Sequence, residues 1–294
     1  MRWKHLPIVA FDTETTGLQP FAGDRIIEFA AVVLRLDEDG QVMDVQEHSW
    51  LVNPQIPIPR KVTEITGITD ADVAGKPKFA DIADEVFDLL SESIAVAHNF
   101  PFDRAFLAKE FRDVLRHWPE PLAEIDTVDV SMIAFPGARS HRLGDVCKRL
   151  DISLVDAHRA TNDAEACGRV FTELARKHNV EDDLQAMLSW ARAIGRPPPG
   201  GPIGPDDDGR LVFQEGPHEG ISVADHPLYL GWMQKAKTRG PQGWTFTYPE
   251  STREWIARWL AVRGAGRQSP SAKSPRPDDW MIDPCIADDR RPRS

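Results

Sequence analysis

The order of periodicities along the chain predicts an α/β domain over residues 1–180, a mixed sheet covered by helices, with a smaller module behind it. Two observations carry this reading. Strand-like segments come first, and helical segments interleaved with one further strand follow, an order that folds as a sheet with helices on its faces. The character of the sequence then changes at Gly195-Arg196-Pro197-Pro198-Pro199-Gly200-Gly201-Pro202, which punctuates the chain into two parts.

Taken in order, Pro7-Ile8-Val9-Ala10-Phe11 is a short apolar run ending at Asp12 and reads as a buried strand. Ile26 to Leu36 reads as a second strand and Gln41 to Val52 as a third, joined by the polar turn Asp37-Glu38-Asp39-Gly40. Residues 53–60 carry three prolines and read as a loop. Phe79 to Leu90 places Ile82, Val86, Leu89 and Leu90 at helical spacing. Ile94 to Ala97 is a short strand, and Phe102 to Leu115 is helical through Phe106, Leu107, Phe111 and Leu115. Leu143 to Leu150 and Thr161 to His178 read as two further helices. Residues 181–209 read as one more helix followed by a proline-stiffened linker. Residues 210–262 regain periodicity and hold four of the nine tryptophans, Trp232, Trp244, Trp255 and Trp259. They read as a small accessory module, α+β or mostly helical. Residues 263–294, rich in Gly, Ser, Pro and mixed charges, read as a disordered tail.

Composition excludes several classes. A hydrophobic fraction of 41% with 28% charged residues is that of a soluble globular chain. No apolar run is long enough to span a bilayer, so no membrane partner is expected. The apolar stretch after Arg2 and Lys4 is interrupted by Asp12 and Glu14 and cannot act as a signal peptide, which makes the cytoplasm the expected compartment. Cys147, Cys167 and Cys285 form no CxxC pair and suit buried thiols in a reducing compartment. The net charge is −11, and residues 1–180 hold 30 acidic against 20 basic side chains. Such a balance argues against tight nonspecific duplex binding, which depends on Lys and Arg. A bound divalent cation would change that logic locally, since it is often the largest charge in a site.

Asp12 and Glu14, two residues apart on a strand, project from the same face. Two converging carboxylates repel unless a cation sits between them, and an all-oxygen site selects hard ions such as Mg²⁺ or Mn²⁺. Alone, this pair is better read as a solvated strand end. Two further elements strengthen it. In Val96-Ala97-His98-Asn99-Phe100-Pro101-Phe102-Asp103 a strand ends at His98-Asn99, and Asp103 opens a helix. In His158-Arg159-Ala160-Thr161-Asn162-Asp163-Ala164, Thr161 is placed to cap a helix, Asp163 falls in its first turn and His158 on the preceding loop.

These three elements, in this order, resemble the DEDDh exonucleases, the DnaQ-like group that includes polymerase proofreading subunits. The resemblance covers residues 6 to about 178, and Val62 to Thr69 resembles the turn these enzymes carry between the first and second motifs. It implies an RNase H-like fold, a mixed five-stranded sheet flanked by helices, with Asp12, Glu14, Asp103 and Asp163 gathered around two Mg²⁺ or Mn²⁺ ions. Asp12 would bridge both ions, Glu14 and Asp163 would complete one, and Asp103 would hold the other. His158 would be the general base for the attacking water. Thr15, Thr16 and Gly17 would contact the terminal nucleotide, Leu18 would act as a wedge at the last base, and Asn99 and Phe102, which flank the second motif, would join the substrate site, Phe102 by stacking on a base. Phe102 serves equally well as core packing. His98 is assigned to orienting its turn, and His141 and His178 read as solvated.

More loosely, Phe213, Gly216, His218, Gly220, Pro227, Tyr229, Leu230 and Trp232 resemble a C-terminal module of exonuclease X-like proteins. Pro217 and Glu219 stand where that module is commonly basic. Trp255 and Trp259, four apart beside Ile256 and Leu260, read as core, and Lys235, Lys237 and Arg239 as a solvated helix end. The expected substrate is single-stranded DNA or the 3′ ends of DNA, with RNA ends as the alternative. A third reading is an inert scaffold recruiting a polymerase or other protein partner through residues 210–294. The intact set of Asp12, Glu14, Asp103, His158 and Asp163 counts against it.

Overall fold

A computed structural model describes residues 1–154, 159–206, 210–240 and 243–265. In chain order the first part contains β1 (Ile8–Thr15), β2 (Ile26–Leu36), β3 (Val42–Leu51), α1 (Arg60–Thr66), α2 (Asp70–Val73) and α3 (Phe79–Leu90). There follow β4 (Ile94–Ala97), α4 (Phe100–Asp113), β5 (Ala123–Asp126), α5 (Thr127–Ala134), α6 (Leu143–Leu150), α7 (Ala160–Lys177) and α8 (Leu184–Ala191). The five strands form one mixed sheet in the order β3-β2-β1-β4-β5. β2 runs antiparallel to both β1 and β3, while β4 lies parallel to β1 and to β5. This is the five-stranded, helix-flanked RNase H-like sheet expected above.

The sheet is covered on both faces, so its central strands read as continuous apolar runs. Ile8, Ala10, Val32, Leu34, Ile94 and Val96 pack with residues of α6, α7 and α8. Val9, Phe11, Phe29, Ala31, Ala95 and Ala97 pack on the opposite face with residues of α3 and α4. β1 does not end at Asp12 but runs on to Thr15, where its register with β2 shifts.

The short strand β5 and helix α5 are additions to the sequence reading. Asp126 caps α5, its side chain accepting the Val128 N–H at 2.9 Å. Val130 faces the core beside α7, whereas Met132 and Ile133 belong to a separate cluster formed with the C-terminal part. A helix buried on two sides carries no amphipathic stripe, which is why periodicity misses it.

The C-terminal part contains β6 (Ile203–Pro205), β7 (Leu211–Phe213), α9 (Pro227–Lys235), β8 (Lys237–Gly240), β9 (Gly243–Phe246) and α10 (Glu250–Ala265). β6 pairs with β7 and β8 with β9, both antiparallel, which makes this part α+β. β6 falls inside the stretch read as linker. Trp255 and Trp259 are buried, together with Ile194, Phe213, Leu230 and Ile256, against Met132 and Ile133. The linker is itself pinned: the Trp255 indole N–H donates to the Gly195 carbonyl at 2.9 Å, and Arg196 pairs with Asp126 at 2.6 Å and Asp129 at 3.2 Å. α10 runs to Ala265, so residues 263–265 of the stretch 263–294 read as a disordered tail are helical, and residues 266–294 lie outside the described residues.

Candidate active site

Strand parity decides which carboxylates meet. Ile8 and Ala10 face the layer containing α7, and Val9 and Phe11 the layer containing α4. The alternation continues past the apolar run, so Asp12 and Glu14 point toward α7 and Thr13 toward α4. Asp163 lies in the first turn of α7. Ligand oxygens of Asp12, Glu14 and Asp163 all lie within 4.8 Å of one another. Gly168 lets α7 approach this closely, because a Cβ there would fall 2.5 Å from Leu34 Cδ1 and 2.9 Å from Ala10 Cβ.

Asp103 arrives from the opposite layer, in the first turn of α4. β4 pairs with β1 only as far as Ala10, so the edge of β1 is open at Thr13. Asp103 Oδ1 fills that edge, accepting the Thr13 N–H at 3.0 Å and the Thr13 hydroxyl at 2.7 Å. Asp103 therefore sits beside the trio, its charge felt by both Asp12 and Glu14.

The electrostatics are those of a crowded acidic cluster. Burial, then Asp103, Asp163 and Glu14, hold the Asp12 carboxyl well above the usual carboxylate range. Glu14 is pushed up to about 8 by burial, then by Asp163, Glu28 and Asp103, with Arg159 pulling it back. Burial raises Asp103 to about 7 against the opposing bonds from Thr13. Near neutral pH such a cluster holds either protons or a cation. The donor set fits a hard divalent ion: carboxylate oxygens only, converging from a rigid strand and a helix.

Glu28 belongs to this neighbourhood although the motif reading passed over it. It stands opposite Glu14 in the β1–β2 register, so the two share a face. It is buried, and Oε1 accepts from Arg159 Nη2 at 3.4 Å and Ser49 Oγ at 3.5 Å. Oε2 has no partner among the described residues. The signal was a lone carboxylate inside the apolar strand Ile26-Ile27-Glu28-Phe29-Ala30-Ala31. His158 lies outside the described residues; its neighbour Arg159 is the first cation next to the cluster. The α7 N-cap is Arg159 rather than Thr161, since the helix already begins at Ala160.

The turn after β1 is tied internally. The Thr15 hydroxyl donates to the Gly17 carbonyl at 2.6 Å, and Thr16 exchanges backbone and hydroxyl bonds with Arg25. A Cβ at Gly17 would fall 2.4 Å from the Asp24 carboxylate and displace it from its bond to the Gln19 N–H. Arg25 anchors the turn to α4 through two 2.7 Å bonds to buried Glu110, a link no local pattern announces. Leu18 projects outward, 79% exposed. Phe102 is half-buried against Phe106, with ring centroids 5.1 Å apart. Asn99 takes a left-handed conformation (φ 73°) at the N-cap of α4, and its side chain accepts from Arg196 at 3.2 Å.

The histidines divide. His98 Nδ1 bonds Thr127 Oγ1 at 2.8 Å, linking its turn to α5 as expected. His141 is not solvated: it is buried, its Nδ1 lies 2.7 Å from Ser131 Oγ, and burial pushes it down to about 4. His178 is exposed beside Trp190.

A mixed sheet whose central strand carries two carboxylates toward a third on a flanking helix has the architecture of the RNase H-like fold. Residues 9–171 match the family model for Exonuclease of the RNase T type, and the chain belongs to that family. It is 37% identical over 169 residues to "3′-5′ exonuclease DinG" of Bacillus subtilis, a match covering 58% of this chain and 18% of that protein. It is 34% identical over 177 residues to "DNA polymerase III subunit epsilon" of Treponema pallidum, covering 60% of this chain and 79% of that protein. In structure it resembles E. coli exonuclease I in complex with a dT13 oligonucleotide, with a TM-score of 0.51 at 22% identity, covering 60% of this chain and 42% of that one. That likeness is one of fold. Against the B. subtilis DinG protein and the PolC-type polymerases the chain spans less than a fifth of the relative's length. No helix among the described residues is long and apolar enough to cross a membrane.

Proposed function

We propose that the chain is a divalent-metal-dependent 3′–5′ exonuclease that releases nucleoside 5′-monophosphates from the 3′ ends of DNA. The observation that carries this is the meeting of Asp12, Glu14 and Asp163 within 4.8 Å, with Asp103 fixed beside them by Thr13. Asp12, Glu14 and Asp163 would hold one Mg²⁺ or Mn²⁺, and Asp12 with Asp103 a second. Two such ions, when bound, supply electrostatic stabilisation to the attacking and leaving oxygens of an in-line displacement. His158 takes the proton of the attacking water, a task suited to an imidazole that titrates near neutrality. Thr15, Thr16 and Gly17 form the floor under the terminal nucleotide, exposed Leu18 wedges against its base, and Asn99 and Phe102 border it. The 3′–5′ direction and the choice of DNA follow the relatives, one named a 3′-5′ exonuclease and one a DNA polymerase III subunit.

The test incubates the purified protein with 5′-labelled single-stranded DNA or RNA in Mg²⁺, Mn²⁺ or EDTA. DNA is expected to be degraded with either metal and to survive in EDTA, with RNA degraded more slowly. Cleavage that persists in EDTA, or undiminished activity in Asp163→Ala, overturns the assignment.

A further inference from the structure

The β8–β9 hairpin shows a second charge pattern, opposite in sign to the rest of the chain. Between Asp225 and Glu250 the sequence contains no acidic residue, while Lys235, Lys237 and Arg239 fall in that interval of a protein with net charge −11. Lys235 does end α9, but Lys237 and Arg239 lie on β8, not on the helix end that the sequence suggested.

Register then sorts the side chains. Lys237 stands opposite Phe246 and Arg239 opposite Trp244. Directly opposed residues of an antiparallel pair share a face, as do residues two apart on one strand. One face of the hairpin therefore carries two cations and two aromatic rings, and Thr238 and Thr245 occupy the other. The rings are accessible: Trp244 is 66% and Phe246 45% exposed. The Phe246 ring is held from α10 by the Arg253 guanidinium, 3.7 Å from its centroid, and Lys237 Nζ lies 4.8 Å from it. Arg253 is anchored in turn by its bond to the Tyr248 carbonyl at 3.3 Å. Among the described residues no carboxylate pairs with Lys237, Arg239 or Arg253.

We infer that this face is a binding site for single-stranded DNA, separate from the carboxylate centre. Trp244 is the open stacking platform, Phe246 braced by Arg253 is the second, and Lys237 and Arg239 meet the phosphates between bases. Alternating rings and cations are what a single strand requires, because every base offers a π-face and every linkage an anion. An acidic protein surface would use the cations but leave two exposed rings without a purpose, so the nucleic acid is the better fit. For an exonuclease with an acidic domain, such a site holds the strand while successive 3′ ends are removed. That role rests on the proposed activity; the binding itself does not.

The experiment uses the full chain in EDTA, where no turnover occurs, and measures anisotropy of labelled oligothymidylate. Trp244→Ala is expected to weaken binding about tenfold, and Trp244→Phe to retain most of it. Lys237→Glu/Arg239→Glu should weaken binding further and flatten the dependence of log K on log salt by about 1.4. Unlabelled polyglutamate should compete poorly. A separate reading follows hydrolysis of thymidine 5′-monophosphate p-nitrophenyl ester in Mn²⁺, which all these variants should retain. Binding unchanged within twofold in both Trp244→Ala and the charge-reversed variant overturns the site. Competition by polyglutamate as effective as by DNA assigns the face to an acidic partner instead. Absence of ester hydrolysis in the unmodified protein would count against the exonuclease reading and leave the binding result standing.

Discussion

Substituting Glu14 by Gln isolates the electrostatic strain of the carboxylate cluster. In the metal-free protein Glu14 is held at about 8 by burial and by Asp163, Glu28 and Asp103, against an ordinary value of 4.5. The folded state keeps that proton to higher pH than the unfolded chain does. The stability it contributes is therefore complete below pH 4.5 and is lost as pH rises through 8. Between pH 6.5 and 8 the loss from a group with a folded value of about 8 is about 1.6 kcal/mol. This is an upper figure, since Glu14 is only partly buried and water screens it. His98 and His141, both pushed down to about 4 by burial, still contribute near pH 6.5, where the unfolded imidazole titrates, but they do so in both proteins and drop out of the comparison. Asp129 and Asp103, both raised to about 7 mainly by burial, titrate within the window in both proteins, so the measured quantity is the difference between the two profiles. A domain of this size shifts by about 2–4 °C per kcal/mol. Calorimetric melts in EDTA should therefore show the unmodified protein losing about 3–6 °C more than Glu14→Gln between pH 6.5 and 8. Adding Mg²⁺ should close the gap from the other side, by stabilising the unmodified protein alone. Parallel pH profiles for the two proteins would refute the claim that the acidic cluster raises Glu14.

Two further outcomes are expected. Gly168→Ala drives a methyl against Leu34 Cδ1 and Ala10 Cβ, at 2.5 and 2.9 Å; it should cost about 1–3 kcal/mol in denaturant melts and lower activity by moving Asp163 away from Asp12. Glu28→Gln removes one of the charges that raises Glu14. The acidic limb of the pH profile of kcat/KM should then move to lower pH, by up to about one unit, and no shift would place Glu28 outside the site's field.

Much of the site was legible because its chemistry sits on regular elements. Period-two alternation along β1 puts Asp12 and Glu14 together, and a helix opening just before Asp163 supplies the third oxygen donor. The side chains that fix the arrangement were not legible, because each acts across the sequence. Glu110 anchors Arg25 from 85 residues away, and Glu28 meets Arg159 from 131 away. The solvated reading of His141 failed for the same reason: Ser131 and the packing around it cover a ring whose sequence neighbours, Ser140 and Arg142, are polar. β5 and α5 escaped because one is four residues long and the other is buried on two sides. The linker was recognised by its prolines, but Arg196 within it grips Asp126, Asp129 and Asn99, contacts that composition alone cannot announce.

The most direct measurement follows one single-stranded DNA labelled at its 5′ end in one reaction and at its 3′ end in another, both in Mg²⁺. The account predicts a ladder of 5′-labelled strands shortening stepwise, immediate release of labelled mononucleotide from the 3′-labelled strand, and loss of both in Asp12→Ala. Internal fragments appearing first, or release beginning at the 5′ end, would contradict it.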